Sequence, residues 1–254
     1  MTLDFSGRRV VVTGGSRGIG RAVAAAFVRA GASVSICARG QSGLDEAYAD
    51  LEGHGGLVHT AACDVGDGDA LRRYIDEAAA ALGGIDVLVN NATGQSAGGT
   101  ERDWRVSIDI DLMATVRATS AAEPYLGAAG RPEGGCVVNV ASRSAFQPTP
   151  RTPAYGAAKA AVMQLTRSQA AALASCNIRV NCVAPGSVDF PGGWWDRCRT
   201  ENPEQYEATL KSLPFGRFGN PDDIANVILF LASPWAGWVT GQIILADGGQ
   251  TLGA

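Results

Sequence analysis

Short apolar runs rich in β-branched residues recur along the chain, each followed by a longer alanine-rich stretch. Residues 10–12 precede 18–30, 34–37 precede 42–52, 57–63 precede 67–82, and 87–89 precede 101–127. Then 136–140 lead into 153–175, 178–183 follow, and a helical stretch near 221–232 comes before 243–245. A strand apolar on both faces must be covered on both, and helices at this spacing supply the cover. The pattern therefore predicts an α/β fold, a doubly wound parallel sheet of about seven strands. In such a sheet the ligand crevice opens at the carboxyl ends of the strands, so the loops that follow strands carry the chemistry. No linker-like stretch divides the chain, which reads as one domain over 1–254. The segment 186–215 breaks the rhythm with Pro191-Gly192-Gly193-Trp194-Trp195 and is expected to form a substrate lid.

With 254 residues, 46% of them hydrophobic and 18% charged, the chain can bury a sizeable core. Its 21 basic and 25 acidic residues leave a net charge of −4, and no basic block offers a footprint for nucleic acid. Six cysteines without a Cys-x-x-Cys pair, and only His54 and His59 beside them, give no zinc pattern, so no metal is expected. The thiols read as reduced. The apolar run after Arg8-Arg9 is too short for a signal peptide or a membrane span, which predicts a cytoplasmic protein without a membrane partner.

The first strand runs into Thr13-Gly14-Gly15-Ser16-Arg17-Gly18-Ile19-Gly20, and a helical stretch follows at once. Missing side chains let the backbone approach a diphosphate, whose charge the exposed N–H groups and the helix dipole favour. This context of strand, turn and helix lifts the motif above an ordinary glycine turn. An acidic residue about 20 positions on would mark NAD. Counting from Gly18 gives Ala38 instead, followed by Arg39, and with Arg17 two guanidinium groups are available to a 2′-phosphate. NADP is the expected cofactor.

Tyr155-Gly156-Ala157-Ala158-Lys159 places a phenol and an ammonium one turn apart on a helix. A tyrosine titrates near 10, and a neighbouring cation lowers that by about 1–3 units, toward the range of a working proton donor. Ser142, thirteen positions before Tyr155, ends the strand at 136–140, so its hydroxyl emerges where the crevice opens.

Thr13-Gly14 with Gly18 and Gly20, Asn90-Asn91-Ala92, Ser142, Tyr155 with Lys159, Pro185-Gly186 and Asp247-Gly248-Gly249 together resemble the short-chain dehydrogenase/reductase family, over nearly the whole chain. The motif set is similar to that of 3-oxoacyl-carrier-protein reductases. The resemblance implies a Rossmann-type domain that moves hydride between a nicotinamide and a ketone or secondary alcohol. It implies Tyr155 as general acid, Lys159 as its partner and a ligand of the nicotinamide ribose, and Ser142 as holder of the reacting oxygen. It further implies that Asp64 and Val65 flank the adenine, that Asn90 and Ala92 line the cofactor, and that Pro185, Gly186 and Val188 border the nicotinamide. A homotetramer built partly through the helix at 153–175, with Ala157, Ala158, Ala160 and Ala161, is implied as well.

Three positions depart from the family pattern. Asp111 stands seven positions after Trp104, where Asn is usual; the resemblance implies that this position acts mainly through its backbone carbonyl, by way of a water leading to the lysine. A carboxylate there would raise the proton affinity of Lys159 if the two came within about 6 Å. Thr93 replaces a common Gly, and Phe190 a common Thr. An Asp at 111 also resembles the dienoyl-CoA reductase branch, which reduces carbon–carbon double bonds but usually lacks the tyrosine present here. Another reading, a non-catalytic dinucleotide-binding sensor or scaffold, gives no chemical reason for Ser142, Tyr155 and Lys159 to occur together. Asp109 and Asp111 do not share a helix face, which disfavours a paired-carboxylate hydrolase. Trp194 and Trp195 are either rings that close over a substrate or core packing, and Gln95, Phe146 and Gln147 fall on loops expected near the crevice.

Overall fold

A computed structural model describes residues 3–127 and 134–253. Seven strands form one parallel sheet: β1 (Arg9–Thr13), β2 (Ser33–Ala38), β3 (Val58–Ala62), β4 (Val87–Asn90), β5 (Gly135–Val140), β6 (Ile178–Pro185) and β7 (Ile243–Ala246). Their spatial order is β3-β2-β1-β4-β5-β6-β7, so the direction of winding reverses between β1 and β4. Crossovers are made by α1 (Gly18–Arg29), α2 (Gln41–Leu51), α3 (Gly68–Leu82), α4 (Glu101–Val106), α5 (Ala114–Gly127) and α6 (Pro153–Leu173). Beyond β6 come α7 (Trp194–Glu201), α8 (Pro203–Lys211) and α9 (Pro221–Ala232).

Alternation along each strand feeds two cores. Val10, Val12, Val87, Val89, Val138 and Val140 point to the layer that contains Val23, Phe27, Ile224 and Ile228 of α1 and α9. Val11, Leu88 and Val137 point the other way, onto Leu71, Ile75, Ala118 and Ala122 of α3 and α5. A period of two in a strand buried on both faces requires this division. At the amino-terminal edge, Asp86 accepts from Arg9 Nε and Nη2, both at 2.9 Å, and from the Arg9 backbone N–H at 2.8 Å. The pair sets the register of β1 against β4, far from the crevice.

The expected single helix over 101–127 is wound differently in its middle. Between α4 and α5, Ser107–Met113 forms a π-helical segment. The wider turn buries Ser107 and Asp111 and leaves Asp109 exposed, so the two carboxylates lie on different faces. Such π segments recur at functional sites, and this one packs against α6. All six cysteines are free, and Cys176 alone of them is exposed.

Candidate active site

The glycine turn is held to the loop after β4 by a clamp. Thr13 Oγ1 accepts from the backbone N–H groups of Asn91 and Ala92 at 3.1 and 3.2 Å. Asn91 Nδ2 donates to the carbonyls of Thr13 and Gly14, both at 3.0 Å. Asn91 is thus a site-building residue to which the sequence reading gave no role. Asn90, by contrast, turns its side chain inward: its Nδ2 donates to Thr119 Oγ1 at 3.0 Å and to Asn139 Oδ1 at 2.9 Å. It offers the crevice only its backbone. Ala92 is partly buried and packs against the core layer of α3 and α5.

The turn fits the diphosphate of a dinucleotide. A Cβ on Gly20 would lie 2.2 Å from the Gly14 carbonyl oxygen, so no side chain fits between turn and helix. No side chain caps α1, which leaves the N–H groups of its first turn for an anion. By contrast α3, α4 and α9 are capped by Asp67, Thr100 and Asn220. Gly18, with φ of 55°, has the Phe190 ring against its open side, where a Cβ would lie 2.6 Å from two ring atoms. Arg17 Nη1 donates to the Gly192 carbonyl at 3.3 Å. The start of the 186–215 insertion therefore reaches back over the glycine turn. Arg39 is exposed beyond β2, and Asp64 and Val65 follow β3 on the same side. Asp64 accepts from the Gly66 N–H at 3.0 Å, while Val65 is buried.

Pro185-Gly186 and Asp247-Gly248-Gly249 meet. The Gly186 N–H donates to the Ala246 carbonyl at 3.0 Å, Ser187 N–H to Gln250 Oε1 at 2.9 Å, and Asp247 accepts from Gly249 and Thr251. Val188 packs against the core and bridges to Gly219. In the insertion Trp195 stacks on Phe218 with ring centroids 4.9 Å apart, whereas Trp194 is half-exposed. Packing explains the first ring. Phe146 and Gln95 are exposed, and Gln147 borders a hollow between the loop after β5 and the start of α6.

Ser142, Tyr155, Lys159 and Asp111 converge at the carboxyl edge of β5. Ser142 Oγ accepts from the Ser144 N–H at 3.1 Å, which leaves its proton for an acceptor, and the hydroxyl faces the Tyr155 phenol. Lys159 Nζ lies 5.7 Å from the Tyr155 ring centroid, donates to the Val140 carbonyl at 2.9 Å, and is 3.4 Å from Asp111 Oδ1. Both charged groups are buried. Thr93, on the exposed rim, donates to Asp111 Oδ1 at 2.6 Å, while Asp111 Oδ2 is buried without a hydrogen-bond partner.

Burial works against the Lys159 ammonium, but Asp111 and Tyr155 outweigh it and hold the lysine above its ordinary value, the direction expected for a carboxylate this close. Tyr155 departs from expectation. Burial raises the phenol, Asp111 adds to the rise, and the lowering by Lys159 and Ser142 does not cancel them. The net direction is upward rather than downward. Sequence spacing placed the cation and its Asp111 countercharge correctly but did not carry the desolvation of the phenol.

The family model described as enoyl-(acyl carrier protein) reductase matches residues 14–251. The 3-oxoacyl-[acyl-carrier-protein] reductase of Thermotoga maritima is 36% identical over 256 residues, covering 98% of this chain and 100% of that protein. The chain belongs to the short-chain dehydrogenase/reductase family. It is an oxidoreductase of that family with the family's Rossmann-type fold. Among solved structures, a 7α-hydroxysteroid dehydrogenase in complex with NADH and 7-oxo glycochenodeoxycholic acid superposes with a TM-score of 0.89 at 31% identity, covering 97% of this chain and 95% of that one. An NADPH-bound short-chain oxidoreductase from Pseudomonas aeruginosa PAO1, described as containing an atypical catalytic center, gives a TM-score of 0.89 at 33% identity, with 98% of both chains covered. Neighbours of this fold therefore hold either dinucleotide. Among the described residues no helix is long and apolar enough to cross a membrane, and no three His, Cys, Asp or Glu side chains gather in a metal-binding group.

Proposed function

We propose that this enzyme reduces a ketone with NADPH, or in reverse oxidises a secondary alcohol, with Tyr155 as the proton donor. The observation that carries the reading is the convergence of Ser142, Tyr155 and Lys159 at the same carboxyl edge of the sheet on which the uncapped amino terminus of α1 follows β1. The dinucleotide, when bound, supplies the hydride. The backbone of 14–20 would hold its diphosphate, Arg39 would meet its 2′-phosphate, and Lys159 with Tyr155 would hold the ribose next to the nicotinamide. Ser142 donates a hydrogen bond to the substrate oxygen, and Tyr155 gives that oxygen its proton as negative charge develops there. A donor fixed before the reaction acts where charge appears, and removal of one such group typically costs about 10²–10³ in kcat.

Residues 186–215 act as the lid, with Trp194 turned to the substrate, in a domain that spans the whole chain. The likeness to the Thermotoga reductase supports a 3-oxoacyl-type or comparable ketone. Double-bond reduction is the second reading: Asp111 resembles the dienoyl-CoA reductase branch, but that branch usually lacks the tyrosine present here at 155. Exposed Ala157 and Ala160 on α6 support assembly of a homotetramer through that helix, in the cytoplasm.

The test is NADPH consumption across a panel of ketones, with NADH in parallel and Tyr155→Phe as the control. Turnover by the wild type, lost by at least about a hundredfold in the variant, is expected. Undiminished activity in Tyr155→Phe would overturn the assignment.

A further inference from the structure

Thr93 donates at 2.6 Å to Asp111, and the oxygen it binds is the one that faces Lys159 at 3.4 Å. An asparagine at 111 would bring no charge to the ammonium, and a glycine at 93 would have no hydroxyl to hold the carboxylate. We infer that Thr93 and Asp111 form one positioning unit that pairs Lys159 with a fixed countercharge, so that the ammonium acts less strongly on the Tyr155 phenol.

The geometry requires this charge balance. Asp111 is fully buried and its Oδ2 has no hydrogen-bond partner, so among the described residues Oδ1 carries its side-chain contacts, a hydrogen bond from Thr93 and the ion pair with Lys159. Lys159 is anchored from the other side by the Val140 carbonyl, which leaves it little freedom to move away. The groups that face the lysine are Asp111 on the π segment, Tyr155 on its own helix and Cys182 on β6. Those that face the phenol are Lys159, Asp111 and Ser142. Without Asp111 the lysine acts on the phenol as an uncompensated cation and the tyrosinate form is favoured. With Asp111 in place that attraction is partly cancelled, in line with the upward direction found for the phenol.

The inference rests on Tyr155 being the proton donor, and the experiment separates the two. Phenolate ultraviolet absorbance is titrated in the protein without added dinucleotide, and subtraction of the Tyr155→Phe curve isolates Tyr155. Asp111→Asn is expected to move that titration downward by about one pH unit. Thr93→Val should move it the same way by less, because the carboxylate is no longer held on the lysine, and Thr93→Ser should restore the wild-type curve. The alkaline limb of the kcat/KM profile for ketone reduction should shift downward in the same order. A Tyr155 titration unmoved by Asp111→Asn would overturn the inference while leaving the proposed function intact; undiminished reduction by Tyr155→Phe would overturn the function itself. Should Asp111→Asn not fold, as read by its thermal melt, the Thr93→Val and Thr93→Ser pair decides: equal titrations in the two refute the unit.

Discussion

Replacing Gly20 by Ala puts a methyl group into the tightest contact of the glycine turn. The new Cβ would lie 2.2 Å from the Gly14 oxygen and 2.5 Å from Asn91 Nδ2. Ordinary contact begins at 3.4 Å, so turn and helix must part by roughly an ångström. Neither neighbour is a flexible side-chain end: one is backbone, and the other is tied by two hydrogen bonds of 3.0 Å. Overpacking costs about 2 kcal/mol, and loss of the two Asn91 bonds adds about 1 kcal/mol each. The better helix propensity of Ala returns about 1 kcal/mol, which leaves a net loss of about 3 kcal/mol. For a chain of this size that lowers Tm by roughly 6–12 °C. The same opening displaces the N–H groups that face the diphosphate, so dinucleotide affinity should fall at least about tenfold. Thermal denaturation and a fluorescence titration with NADPH read the two effects. Gly53→Ala is the control, because a Cβ there meets nothing within 4 Å. A Gly20→Ala protein with wild-type Tm and wild-type Kd would refute the argument that this contact shapes the cradle.

Two further outcomes follow from the same geometry. Arg39 is exposed and makes no hydrogen bond or ion pair among the described residues, so Arg39→Ala should lower the preference for NADPH over NADH by about tenfold, the worth of one charge-assisted hydrogen bond; an unchanged ratio of the two kcat/KM values would contradict its role. Asp86→Ala removes the buried carboxylate that accepts three hydrogen bonds from Arg9 at the opposite edge of the sheet, leaving the guanidinium the Gly83 carbonyl and solvent, and should cost about 3 kcal/mol by chemical denaturation, with NADPH affinity unchanged in the folded protein.

The strands were legible because period-two and apolar-run signals are local: every predicted strand overlaps an observed one, with ends displaced by only a few residues. The glycine turn was legible for the same reason. The π segment was not, because Ser107 to Met113 carries the same mixture of apolar and polar residues that an α-helix would; the extra residue per turn is fixed by packing on α6. The contact of Thr93 with Asp111 joins positions eighteen apart through a loop whose path no pattern specifies. Asn90 and Asn91 look equivalent in sequence, yet strand alternation sends the first side chain into the network with Asn139 and the second to the glycine turn. The proton affinity of Tyr155 was misjudged because spacing reports neighbours but not the loss of solvent around them.

The central claim is that Tyr155 protonates an oxygen while hydride reaches the adjacent carbon. NADPH deuterated at C4 of the nicotinamide, incubated with a ketone that the wild type turns over, tests this most directly when the product alcohol is analysed by mass spectrometry. Deuterium should appear on the carbinol carbon with the wild-type enzyme and form at least about a hundredfold more slowly with Tyr155→Phe. Labelled alcohol produced by Tyr155→Phe at the wild-type rate would contradict the account.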